Sequence, residues 1–359
     1  MALQRFLTIG LMSGTSMDGI DAALIRTDGH GQVEPVGFTF TPYQPAFRAR
    51  LRAVLGGGGD VGAVEQEVTD LHGDAVMALL RAHDLTPRSI DLIGFHGHTI
   101  LHAPDRRHTW QIGDGARLAA ATGIDVVHDF RTADVKEGGQ GAPLVPLYHQ
   151  ALAGNLERPL AILNIGGVAN VTWLGEGPLD VVAFDTGPGN ALIDDLVLSR
   201  TGAAYDEGGR IAAGGTVDHD LLARLLDHPY FNAPPPKSLD RDAWVRLALT
   251  NQATPDAAAT LTAFTVESIA RALDHLPAPP RRWLVCGGGR HNAVLMAGLA
   301  ARLGVPVAPV DGLGWNGDAL EAEAFAYLAV RSRLGLPLSL PGTTGVPAPL
   351  TGGRFHPGR

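Results

Sequence analysis

Several short segments of this chain combine residue types able to do chemistry. Gly10 to Asp21 reads GLMSGTSMDGID. Its Ser, Thr and small glycines sit at a strand-to-strand turn, where backbone N–H groups and hydroxyls can cradle phosphate oxygens. It is not a Walker A loop: Gly14 and Gly19 have the right separation, but Ile20 stands where that motif needs Lys. The other reading is an ordinary hairpin loop. Phe184 to Asn190 reads FDTGPGN, which ends an apolar run on Asp185 and surrounds it with Thr186, Gly187 and Gly189. A carboxylate held at a strand end among glycines has room for a substrate and suits a general base. Taken alone, such an Asp more often caps a helix, here one starting near Asn190.

Asn164 to Val171, NIGGVANV, adds a second tight turn at Gly166 and Gly167. Cys286 to Asn292 reads CGGGRHN, after the apolar WLV and ahead of an apolar helix. It fails the dinucleotide fingerprint, because the third Gly position is Asn292, so a Rossmann dehydrogenase is disfavoured. The triple glycine Gly287, Gly288 and Gly289 would let an adenosine lie flat on the backbone.

Phe95 to Thr99, FHGHT, sets His96 and His98 two apart, on one side of a strand. No third metal ligand stands nearby, which favours hydrogen-bonding histidines in a cleft wall over a metal pair. Arg131, after His128 and Asp129, is a candidate for binding a carboxylate or stabilising phosphoryl charge; the alternative is a domain-boundary salt bridge. In Gly317 to Tyr327, GDALEAEAFAY, Glu321 shares a helix face with Phe325 and with Asp318. Glu321 either points into a cleft or belongs to a solvated acidic face together with Glu323. No Gly-Xaa-Ser-Xaa-Gly is present and Cys286 has no evident partner base, so no hydrolase triad emerges.

The elements that must hold these segments follow a repeated order. Short apolar runs predict strands over 5–11, 20–26 and 33–41, with a hairpin turn at Thr27-Asp28-Gly29. Apolar spacing predicts a helix over 61–83, then strands over 90–95 and 124–128 with a helix over 113–122 between them. The order returns with strands over 160–165, 168–174 and 181–184, helices over 190–199 and 256–273, a strand over 283–286, a helix over 292–303, a strand over 305–307 and a helix over 318–331. Twice, then, a glycine-turned meander leads into alternating helices and strands. That predicts two α/β domains with a cleft between them. The boundary is expected near Asp134 to Pro143, giving domains over 1–134 and 135–340, with the Pro- and Gly-rich tail over 341–359 packed on a domain.

The 359 residues are 45% hydrophobic and 18% charged, enough to bury two cores. A formal net charge of -9 argues against a broad basic surface for nucleic acid. The lone Cys286 rules out an internal disulfide and fits a reducing compartment. The N-terminal MALQRFLTIGLMSG makes a poor signal peptide, and no run approaches 18 apolar residues, the length of a membrane span. A cytoplasmic protein without nucleic-acid or membrane partners is expected.

Taken together and in order, GLMSGTSMDGIDAAL, GFHGHT, WQIGDG, DFRTADV with GGQGAPLVP, NIGGVANVT, FDTGPGN, VCGGGRHN and GDALEAEAFAYLA resemble the successive signature blocks of the anhydro-N-acetylmuramic acid kinase family. The resemblance runs from about Gly10 to the C-terminal TGGRFHPG. One departure is Asn316-Gly317, where the family pattern carries Pro-Asp or similar.

The resemblance implies two ribonuclease H-like, actin-like ATPase domains, with mixed sheets flanked by helices and the active site in the interdomain cleft. It implies ATP, with phosphates against Gly14, Thr15, Ser16, Met17, Asp18, Gly19, Ile20 and Asp21. Gly166, Gly167, Gly187 and Gly189 would close on the phosphates, and Gly287, Gly288 and Gly289 would back the adenosine. The anhydro sugar would lie beside His96, His98, Thr99, Arg131 and Glu321, with Asp185 as the catalytic base. Mg²⁺ would be held through ATP near Asp18 or Asp185. The reaction implied is hydrolytic opening of 1,6-anhydro-N-acetylmuramic acid with phosphorylation of O6, in cell-wall recycling, by a homodimer. The alternatives are another sugar or acid kinase of the same fold, and a non-metabolic nucleotide switch.

Overall fold

The computed structural model describes residues 4–14, 16–239, 244 and 252–358. The chain divides into two compact units, Met1–Asn155 with Ala319–Arg359, and Leu156–Asp318.

The first unit opens on an antiparallel meander of β1 (Phe6–Ser13), β2 (Gly19–Thr27) and β3 (Val33–Pro42). Helices α1 (Pro45–Ala53) and α2 (Val61–Ala82) follow. Asp60 caps α2 by accepting the Ala63 N–H at 3.0 Å, and its buried face runs through Val64, Val68, Val76, Leu79 and Leu80. The chain continues through β4 (Leu92–Ala103), β5 (His108–Ile112), α3 (Gly115–Thr122), β6 (Val126–His128), α4 (Thr132–Lys136) and α5 (Pro146–Leu152).

The second unit repeats the pattern. A meander of β7 (Leu160–Ile165), β8 (Val168–Leu174) and β9 (Val181–Pro188) leads to α6 (Ala191–Thr201), α7 (Arg210–Ala213), α8 (His219–Leu226) and α9 (Thr254–Arg271). Then come β10 (Trp283–Cys286), α10 (Ala293–Leu303) and β11 (Val307–Pro309). The chain returns to the first unit as α11 (Leu320–Arg333), α12 (Pro341–Thr344) and β12 (Arg354–His356).

Sheet order shows the duplication. The first sheet runs β12-β6-β4-β1-β2-β3, with β5 on β4, and the second β11-β10-β7-β8-β9. Without β12 and β5, both are the same five-strand arrangement, an antiparallel meander whose first strand pairs in parallel with the fourth. This is the ribonuclease H-like topology, repeated once in the chain.

The unit boundaries differ from the expected ones. The first unit extends to Asn155 and takes back everything from Ala319. The reason lies in α11. A Cβ at Gly10 would stand 1.8 Å from the Ala322 carbonyl oxygen, and one at Gly94 2.0 Å from that of Phe325. These glycines let α11 lie directly on β1 and β4, where Phe325, Leu328 and Val330 are buried. Each such side chain contributes roughly 1.5–3 kcal/mol by its burial. The tail is stitched to the same sheet by β12 pairing with β6. Among the described residues no helix is long and apolar enough to cross a membrane.

Candidate functional site

The β1–β2 turn is a built loop. Met17 donates its N–H to the Gly14 carbonyl at 3.0 Å, and the Asp18 carboxylate accepts from Ser16 Oγ at 2.7 Å and from the Gly19 N–H at 3.0 Å, both on Oδ1. Met17 is buried at φ 54°, a left-handed conformation that non-glycine residues seldom adopt. Ile20 is fully buried, and Asp21 pairs with Met12 in the ladder. Thr15 lies outside the described residues.

Tyr43 closes this loop from outside: its N–H donates to the Asp18 carbonyl at 2.8 Å and its hydroxyl to Ser13 Oγ at 2.8 Å. Ser13 lies 2.9 Å from Nδ1 of His98. Burial pushes the Tyr43 phenol well up, so it stays a donor. Burial lowers the His98 pKa to about 4, which keeps that ring neutral. Sequence reasoning missed Tyr43 and Ser13 as members of this network.

His96 and His98 do not act as a same-side pair. Gly97 adopts φ 72° and the β1–β4 register shifts between Leu11 and Ser13, which breaks the strand alternation. His96 packs on Phe325 of α11, with ring centroids 4.5 Å apart, and its Nε2 accepts from Arg131 Nε at 3.0 Å. Burial and the neighbouring guanidinium hold the His96 pKa well below the usual histidine value. Arg131 also donates to the Gly141 carbonyl at 2.6 Å and lies over the Phe325 ring. His96, Arg131 and Phe325 are thus one cluster. Thr99 sits nearby on β4, where its Oγ1 accepts from Gln111. Glu321, in the first turn of α11, is partly exposed.

Glu323 is not part of a solvated acidic face. It is 2% exposed and accepts the Tyr148 hydroxyl at 2.6 Å, and burial raises its pKa to about 7. A helix laid tightly on a sheet, with α5 over it, has no solvent on that side.

In the second unit Asp185 occupies β9 and is not a helix cap; α6 starts at Ala191, and its N-cap residue Asn190 makes no side-chain cap bond. The Asp185 Oδ2 accepts the Leu239 N–H at 2.7 Å, its own N–H donates to the Lys237 carbonyl, and its carbonyl accepts the Tyr230 hydroxyl at 2.5 Å. Lys237, buried against Phe184 and Tyr230, has its pKa lowered to about 8 by desolvation. Tyr230 and Lys237 escaped the sequence reading because they stand some fifty residues on from Asp185, in a stretch without periodicity. The adjoining loops are stitched together: Gly189 donates to the Gly167 carbonyl and Asn190 to that of Gly166, at 2.9 and 2.8 Å.

The glycines divide into two groups. At Gly19, Gly187, Gly189, Gly287 and Gly289 an added Cβ would come within 2.3–2.7 Å of protein atoms, so the fold itself requires them. At Gly14, Gly166, Gly167 and Gly288 the nearest protein atom would lie 3.6–3.8 Å away, and none of the four has positive φ. Neither packing nor backbone conformation demands glycine there. Bare backbone is what a loop offers to phosphates or a nucleoside. A cavity of about 760 Å³ in the second unit, walled by residues such as Leu222, Ala263, Val266 and Val294, includes none of these positions.

A family model described as anhydro-N-acetylmuramic acid kinase matches residues 6–358. The chain belongs to the anhydro-N-acetylmuramic acid kinase family. Two proteins of that name illustrate the relation. The one from Rhizorhabdus wittichii is 54% identical, with 99% of this chain and all of the relative aligned. The one from Rhodospirillum rubrum is 56% identical, with 97% of this chain and 94% of the relative aligned. Family membership makes the chain a carbohydrate kinase.

Proposed function

We propose that this enzyme opens 1,6-anhydro-N-acetylmuramic acid with water and transfers the γ-phosphoryl group of ATP to O6, yielding N-acetylmuramic acid 6-phosphate and ADP for peptidoglycan recycling. The observation that supports it most is Asp185. Its carboxylate, on strand β9, accepts the Leu239 N–H while Lys237 and Tyr230 hold its backbone, so it is not spent on capping, and the same unit bears the open Gly166-Gly167 turn.

In this reading Asp185 accepts a proton from a water molecule. The water oxygen bonds to the anomeric carbon as the bond from that carbon to O6 breaks. O6 then bonds to the γ-phosphorus as ADP leaves. Phosphoryl transfer asks the protein for position and charge neutralisation more than covalent help. Gly14 to Asp21, Gly166, Gly167, Gly187 and Gly189 would receive phosphate oxygens with backbone N–H groups, and Gly287 to Gly289 would face the adenosine. His96, His98, Thr99 and Glu321 would orient the sugar. Arg131, its plane fixed by His96 and Gly141, supplies the cation for an anionic group of the substrates.

Asp18 fits a magnesium ion shared with ATP. The loop's own bonds fall on Oδ1 and leave Oδ2 outside them, and magnesium is usually held by one or two carboxylates plus phosphates and water. Bound there, the ion would neutralise phosphate charge. The deciding assay offers purified enzyme ATP with either the anhydro sugar or a plain hexose; phosphorylation of the anhydro sugar is expected, and turnover of the hexose alone would reject the reading.

A further inference from the structure

Arg290 follows the three glycines and is a charged side chain with almost no exposure, 3%. Its guanidinium donates from Nε to Asp311 at 2.9 Å, from Nη1 to Asp318 Oδ1 at 2.7 Å and to the Gly287 carbonyl at 3.0 Å, and from Nη2 to Asp318 Oδ2 at 2.9 Å. Three stretches of chain meet on this one group: the turn at Gly287, the 3-10 turn Val310–Leu313, and the segment leading to α11. A Cβ on Gly317 would stand 2.6 Å from Arg290 Nε and 2.8 Å from Cζ. The glycine at 317 therefore leaves the room the guanidinium occupies. The Gly317 carbonyl in turn accepts the Gly287 N–H at 3.3 Å.

We propose that Arg290 is a positioning residue for the nucleotide, with Gly317 as the space it needs. The proposal rests on the reading of Gly287 to Gly289 as the adenosine platform. Gly288 is the exposed member of the triplet and is unsupported by packing, so its place is set by the residues beside it. Arg290 fixes that place by holding the carbonyl of Gly287 while its bidentate fork grips Asp318. It also offsets two carboxylates that would otherwise stand beside an anionic ligand. A lysine keeps the charge but has no planar fork, so it cannot make the bidentate grip and hold Asp311 and Gly287 together.

The test compares wild type, Arg290→Lys, Gly317→Ala and the double variant, with Asp318→Asn as a milder cut of the same grip. ADP affinity is read by calorimetry, and KM for ATP, KM for the anhydro sugar and kcat by ADP release. The expected result is a rise of about tenfold or more in the ADP Kd and in KM for ATP, with KM for the sugar and kcat within about threefold. The double variant should be no worse than the worse single, because both changes release the same contact. Asp318→Asn should move the same constants less. Unchanged ADP affinity and KM for ATP in a folded Arg290→Lys enzyme would overturn the proposal. So would a fall in kcat and melting temperature without any KM shift, the mark of a purely structural role. A wild-type enzyme that binds no ADP at all would instead overturn the adenosine platform itself.

Discussion

Replacing Asp185 with Asn changes the chemistry while leaving the architecture nearly intact. The Leu239 N–H bonds to Oδ2 at 2.7 Å, and the amide oxygen of Asn can accept the same bond. The backbone links from Asp185 to Lys237 and Tyr230 do not involve the side chain. The stability change should therefore stay within about 1 kcal/mol. What is lost is the basic oxygen. General-base catalysis is worth about 10²–10⁴ in rate, or about 3–5 kcal/mol of transition-state stabilisation. The assay is ADP release with saturating anhydro sugar, paired with calorimetric ATP binding and a thermal melt. Expected are a kcat lower by at least about a hundredfold, ATP affinity within about threefold, and an unshifted melt. A folded Asp185→Asn enzyme turning over within about threefold of wild type would refute the assignment, because no other residue has been assigned as the base.

Other predictions follow from single distances. Gly288→Ala should leave the melting temperature unchanged, since its Cβ would stand 3.8 Å from the nearest protein atom, yet raise KM for ATP. Gly289→Ala should instead lower the melting temperature, because its Cβ would lie 2.4 Å from Ile165. Glu323, with a folded pKa of about 7 against 4.5 for the free side chain, keeps its proton better when folded. Its contribution is therefore fully present below pH 4.5 and lost as pH rises to 7, by up to ~3 kcal/mol. Glu323→Gln should flatten that decline, and melts from pH 4 to 8 that match wild type would contradict it. Tyr43→Phe should cost about 1 kcal/mol in denaturant unfolding by removing the bond to Ser13.

The parts of this protein that the sequence made legible are those governed by short-range rules. Strands 160–165, 168–174 and 283–286 were expected at the bounds observed, because unbroken apolar runs between glycine turns leave little choice. The doubled meander followed from the order of such runs. Less legible was anything set by contacts distant in the chain. Helix α11 leaves the second unit for the first because Gly10 and Gly94, some 300 and 230 residues earlier, leave room for its backbone. No local pattern at residues 318–331 carries that information. The same holds for Glu323, which reads as a surface acid until α5 is placed over it, and for Lys237 and Tyr230 around Asp185. Only the same-side placement of His96 and His98 failed, because strand alternation presumes a backbone that Gly97 does not adopt. Glycine spacing in the sequence does not show that an added Cβ would meet protein atoms within 2.7 Å at Gly19, Gly187, Gly189, Gly287 and Gly289 but none closer than 3.6 Å at Gly14, Gly166, Gly167 and Gly288.

The most direct measurement is turnover of 1,6-anhydro-N-acetylmuramic acid with ATP in ¹⁸O-labelled water, followed by mass spectrometry of the phosphorylated sugar. Ring opening by water predicts one heavy oxygen at the anomeric carbon, the phosphate ester on O6, and one ADP formed per label incorporated. Phosphorylated product in which the 1,6-anhydro bridge survives and no label has entered would contradict the account.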